Sequence, residues 1–136
     1  TLGSFEHFQD PYEVLKEARR ITRHGGRIFI TSGVWGSPWG AHMNYFAYVP
    51  WVQFLFSEDT VLKVRSIYRS DGATKYSEIE GGLNQVGVRQ FKQFVSRLNL
   101  TIEYLYLNPV KGLTFLTKIP RVNELFTNLI VAVVRK

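Results

Sequence analysis

Between residues 11 and 24 apolar side chains recur at helical spacing. Val14, Leu15, Ala18 and Ile21 form one side, and Lys16, Glu17, Arg19, Arg20 and Arg23 the other. Asp10-Pro11-Tyr12-Glu13 supplies the start: a capping carboxylate, a proline suited to the first helical position, and an acid placed to complete a capping box. Gly25-Gly26 supplies the stop, because glycine takes the left-handed backbone that closes a helix. The Ile28-Phe29-Ile30 run within Arg27–Ser32 then predicts a strand buried on both faces. Helix, glycine turn and buried strand make half of a βαβ unit. An earlier parallel strand is therefore expected, ending at or just before Thr1–Ser4.

Periodicity fades between Gly33 and Phe56, where Trp35, Trp39, Tyr45, Phe46, Tyr48, Trp51, Phe54 and Phe56 alternate with glycines and prolines. Short helices and loops are expected there. Ser57-Glu58-Asp59 can cap a helix over 60–68, and residues 69–84 are polar with glycine turn signals. Val88, Phe91, Phe94, Val95 and Leu98 define the apolar side of a second amphipathic helix, closed at Asn99. Leu100–Leu107 alternates like a strand. Residues 108–121 form a connector with a short helix near 113–117, and Asn128–Val134 forms a last apolar strand.

Composition narrows the class. The 136 residues are 45% hydrophobic and 15% aromatic, enough for one domain with a true core. Without cysteine, disulfides and thiolate-bound metals are excluded. No apolar run approaches the roughly 20 residues of a membrane-spanning helix. The net charge of +6 is uneven: residues 1–80 balance nine basic against nine acidic side chains, whereas residues 81–136 carry eight against two. The basic residues of the second half are scattered singly, so a solvated surface is expected and no nucleic-acid partner.

The stretch SFEHFQDPYEVLKEARRITRHGGRIFIT, residues 4–31, resembles the class I S-adenosylmethionine-dependent methyltransferases of the type 11-like kind. There a Leu-Glu-His after the fourth strand leads through Asp-Pro into a helix, which ends in a Gly-Gly turn before strand five. Phe5-Glu6-His7 and Arg20–Gly26 stand in those places. The resemblance implies the C-terminal half of a doubly wound, Rossmann-like α/β sheet. Arg27–Ser32 is then strand five, Leu100–Leu107 strand six and Asn128–Val134 strand seven, the last antiparallel to the rest. Residues 33–84 are implied to be a substrate-side insertion or lid within one partial domain. The family's glycine-rich loop after strand one and acid ending strand two have no counterpart here. A fragment is therefore implied, with an exposed sheet edge open to the missing N-terminal half or to another copy of the chain.

The activity implied is cytoplasmic methyl transfer from S-adenosylmethionine to a small, lipophilic or planar acceptor. The alternative is a catalytically inactive remnant that binds a ligand or partner. The cofactor-side residues implied are Gly3, Ser4, Phe5, Glu6 and His7, set against the plainer reading that they pack and tie down a loop. His42, and with it His7, is a candidate to take a proton from an acceptor, since an unperturbed imidazole titrates near neutrality, though a histidine bonded to a loop carbonyl is equally ordinary. Trp35, Trp39, His42, Tyr45 and Trp51 are candidate substrate walls, with core packing or a membrane or partner surface as the other readings. Arg69 is a candidate anion holder. A single Glu-His pair does not make a metal site, and none is expected.

Overall fold

A computed structural model of the chain describes residues 3–136 and shows a mixed α/β fold. Helices α1 (Pro11–Ile21), α2 (Val52–Leu55), α3 (Glu58–Ser66), α4 (Val88–Arg97) and α5 (Asn123–Phe126) accompany strands β1 (Arg27–Gly33), β2 (Thr101–Pro109) and β3 (Thr127–Arg135). The strand order is β1-β3-β2. The last strand lies between the other two and pairs antiparallel with both, so β1 and β2 point the same way.

Local signals account for α1. Asp10 Oδ1 accepts the Glu13 amide at 3.0 Å, and Pro11 opens the first turn. Glu13 does not reach back as a capping-box acid; its carboxylate holds Lys16 at 2.9 Å. The helix ends before the glycines, at Ile21 with Thr22 as an extended cap, so the expected Gly25-Gly26 stop is corrected. The left-handed φ of 73° at Gly25 serves the turn into β1. Ile21, expected on the apolar side, is exposed, while Leu15 is buried.

Helix α4 buries all five expected residues, from Phe91 at 0% exposure to Phe94 at 9%. Its N-terminus has no side-chain cap from its own flank. Glu124, 36 residues on, closes it: the carboxylate accepts the Val88 amide at 2.8 Å and the Arg89 amide at 2.7 Å. A negative group there satisfies free N–H donors and complements the helix dipole.

The principal core joins one face of the sheet (Ile30, Ile130, Ala132, Val134) to Leu15 of α1 and to the apolar side of α4. The other face is more open among the described residues. Phe29 is 60% exposed, and Tyr104 and Tyr106 are about half exposed, so the expectation that β1 is buried on both faces is corrected. Register explains it: Phe29, Val133 and Tyr104 share one row, and both helices of the principal core pack against the opposite face. Glu103 sits at a bulge in β2 and pairs with Arg27 at 2.5 Å and Arg135 at 3.2 Å, one residue from each of the other two strands.

A doubly wound parallel sheet is not shown. Every strand pairing among the described residues is antiparallel. The strand expected at Thr1–Ser4 falls partly on Thr1 and Leu2, outside the described residues. Gly3 has a left-handed φ of 59° and Ser4 a ψ of −3°, neither extended, although the Gly3 amide donates to Thr31 Oγ1 on β1.

Between β1 and α4 the chain forms the expected short helices and loops around a second apolar cluster: Ala41, Met43, Val52, Val61, Leu62, Tyr76, Ile79 and Leu83. Buried Arg65 donates to Asp71 at 2.6 Å, and Asp71 also accepts the Glu80 and Ala73 amides, clasping α3 to residues 71–80. The Arg65 hydrogen bond is the largest cause holding the Asp71 carboxyl down at about 2. A carboxyl depressed on folding stabilises the fold above its unfolded value, about 4. That contribution disappears as pH falls through about 2. Acid titration of the tryptophan fluorescence from pH 5 to 1.5 is expected to show this segment loosening in that window. Asp71→Asn is expected to be loosened already at pH 7, and an unchanged titration in that variant would exclude the clasp.

Candidate functional site

The carboxyl end of β1 and the start of β3 lie at the same end of the sheet, where open α/β sheets hold ligands. A cavity of about 220 Å³ opens there. Gly33, Val34 and Trp35 come from the end of β1, Asn128 from β3, Glu6 from the turn before α1, and Trp39, His42 and Tyr45 from the following loop. Residues 83–86 close the remaining side.

Each wall is fixed by the backbone around it. Asn84 is the main fastener of the Glu6 turn. Its side-chain amide donates to the Phe5 carbonyl at 2.6 Å and the Phe8 carbonyl at 3.1 Å, and its backbone N–H donates to the Glu6 carbonyl at 2.9 Å. Gln53 performs the same task for the aromatic wall, donating to the Trp35 carbonyl at 2.8 Å and the Ser37 carbonyl at 2.9 Å. Trp35 also packs edge-on against buried Tyr76, with ring centroids 4.7 Å apart. Burial, with Glu58 adding to it, pushes the Tyr76 hydroxyl up to about 12, so it remains protonated.

Two histidines meet beside this cavity. His7 and His42 stand edge to face with centroids 5.4 Å apart. His7 Nδ1 lies 2.8 Å from the Gly82 carbonyl, which can only accept, so that nitrogen carries the proton. His42 is held at φ 54°, an uncommon backbone for a residue other than glycine. Burial lowers its pKa, with His7 and Arg65 adding to the shift and Glu6 opposing it. The imidazole is therefore neutral at pH 7 and able to accept a proton.

Two residues of the lining carry a buried oxygen with no donor among the described residues. Glu6 Oε2 and Asn128 Oδ1 are both buried without a hydrogen-bond partner. The Glu6 carboxylate also lies beside Gly33, where an added Cβ would stand 3.1 Å from Oε1.

The expected substrate residues divide clearly. Trp35, Trp39, His42 and Tyr45 line the cavity together. Trp51 does not: its indole donates to the Leu125 carbonyl at 3.3 Å and packs against Phe126, bracing the loop onto α5. Arg69 lies outside as well, exposed over the Phe46 ring and 4.0 Å from Glu80. Of the expected cofactor-side residues, Phe5 is 1% exposed and belongs to the core, and His7 lines a neighbouring cleft. Gly3, Ser4 and Glu6 are not buried in that core. Asn128, Gln53 and Asn84 complete the site without a recognisable signal, since their roles depend on partners far along the chain.

Comparison with protein-family models, with curated proteins and with solved structures finds no match for this chain.

Proposed function

We propose that the chain is the C-terminal part of a methyltransferase domain, with the cavity as the pocket for a small acceptor. The observation that carries this reading is the position of the cavity at the carboxyl end of β1, between a Glu-His turn and an aromatic loop. The strand order adds support. In the Rossmann-like sheet of this reading, β1, β2 and β3 take the places of strands five, six and seven, with the last one reversed.

S-adenosylmethionine would supply the electrophilic methyl group. Gly3, Ser4 and Glu6 are the residues of this chain free to face it, and its main cradle belongs to the part of the family fold ahead of strand four. The chain's own residues supply three things. Trp35, Trp39 and Tyr45 present flat apolar walls that orient an acceptor and displace water. Neutral His42 takes the proton that the acceptor loses. Asn84 and Gln53 hold these walls in register.

Calorimetric titration of S-adenosylmethionine tests the reading, using this chain and the chain extended N-terminally by the segment preceding it in its gene. The extended form is expected to bind at least 100-fold more tightly. An extended form that binds no donor would overturn the reading in favour of a ligand-binding module without transfer activity. That second reading draws on Phe5 and His7, two donor-side residues committed to packing and to the Gly82 carbonyl.

A further inference from the structure

Glu6 and Asn128 come from opposite ends of the chain and line one cavity, and each carries a buried oxygen, Oε2 and Oδ1, that accepts no hydrogen bond among the described residues. Buried acceptors are nearly always paired, because an oxygen stripped of water without a donor costs free energy. Two unpaired acceptors beside one cavity indicate that the donor belongs to the ligand.

The charge has a sign as well. Glu6 forms no ion pair among the described residues. The nearby cation, Arg65, is committed to Asp71, and His42 is neutral. The remaining walls are the rings of Trp35, Trp39 and Tyr45, whose faces attract cations. Neutral amide side chains (Asn44, Asn84, Gln85) complete the lining without adding positive charge.

Size limits the ligand. A volume of about 220 Å³ is below the roughly 300–1,000 Å³ of pockets for drug-sized molecules, so one small molecule fills it.

We propose that this cavity binds a small aryl-alkyl amine in its protonated form, the ammonium donating to Glu6 and Asn128 while the aromatic part lies against the tryptophans. The proposal rests on the methyl-transfer reading for what happens to the amine, and narrows the acceptor to an amine. The ammonium first gives one proton to neutral His42, and the freed nitrogen lone pair then forms the N–CH3 bond as the CH3–S bond of the donor breaks. Glu6 selects the charged group, Asn128 takes a second N–H, and the rings favour a cation over a neutral group of equal size. A carboxylate-bearing analogue meets repulsion from Glu6.

The test uses the 136-residue chain and 2-phenylethylamine, 2-phenylethanol and 3-phenylpropionate, titrated at pH 7 by NMR. The amine is expected to bind about tenfold or more tightly than the alcohol, as a charge-assisted hydrogen bond implies, and the carboxylate not at all. Glu6→Gln is expected to abolish the preference while thermal melting confirms the fold. Asn128→Leu is expected to reduce it, and serves as the second arm if Glu6→Gln does not fold. Equal affinity for amine and alcohol, or a preference that survives both substitutions, overturns the proposal. So does S-adenosylhomocysteine displacing the amine from this chain in a Glu6-dependent way, because the carboxylate would then serve the donor's own ammonium. Failure of the methyl-transfer reading is separately visible: the N-terminally extended chain would bind the amine with this preference and still bind no donor.

Discussion

Phe91→Ala is expected to lower stability by about 3–5 kcal/mol, the range for emptying a large aromatic site in a packed core. Phe91 is 0% exposed and meets Phe5 edge to face with centroids 6.1 Å apart. Phe5 meets Phe8 in the same manner, so the ring series runs from α4 into the turn that carries Glu6 and His7. A cavity at Phe91 removes contacts from both the core and the base of the site. Domains of this size are stable by only about 5–15 kcal/mol, so a large fraction is lost. Urea unfolding is the measurement, with Phe91→Leu as the milder comparison at about 1–1.5 kcal/mol. A loss under about 1 kcal/mol in the alanine variant would show that Phe91 is not central to the core.

Gly40→Ala is the substitution expected to damage the site most. An added Cβ would stand 2.6 Å from the Trp35 carbonyl carbon and closer still to its oxygen. Both are backbone atoms, so no side chain can turn aside to make room. That carbonyl is also where Gln53 holds the aromatic wall. The backbone must shift, at a cost at the upper end of the roughly 1–3 kcal/mol for overpacking. Binding of 2-phenylethylamine is expected to fall at least tenfold while far-UV circular dichroism is retained. Gly72→Ala is the contrast: nothing lies within 4 Å of its Cβ position, so only its left-handed φ of 69° is penalised. That penalty is about 1–2 kcal/mol, with binding unchanged. Equal binding by both variants would show that the loop absorbs the extra methyl group.

The site was legible in part. Trp35, Trp39, His42 and Tyr45 stand out as an aromatic block with a histidine directly after a strand, and they do line one cavity. Trp51 and Arg69 carry the same kind of signal and lie elsewhere, because residue type does not say which way a loop turns. Phe5 and Glu6 are adjacent in the chain; one is core and the other faces the cavity. Only the neighbours that fold against them separate the two.

What the amino-acid order determined by itself is local. The Asp10-Pro11 start and the apolar row of α4 act through backbone capping and burial within a few residues, and both appear where they were expected, whereas α1 stops at Ile21, short of Gly25, with Ile21 itself exposed. Tertiary structure decided whatever depends on groups far apart along the chain. It placed the last strand between the first two and left Phe29 and Tyr104 more than half exposed on one face. It brought Glu124 back to cap α4 across 36 residues and set Asn128 and Glu6 on the walls of one cavity. The reason is physical: periodicity records which side of an element is apolar. Which surface covers that side, and which donor reaches a buried acceptor, depends on packing between elements that no local pattern encodes.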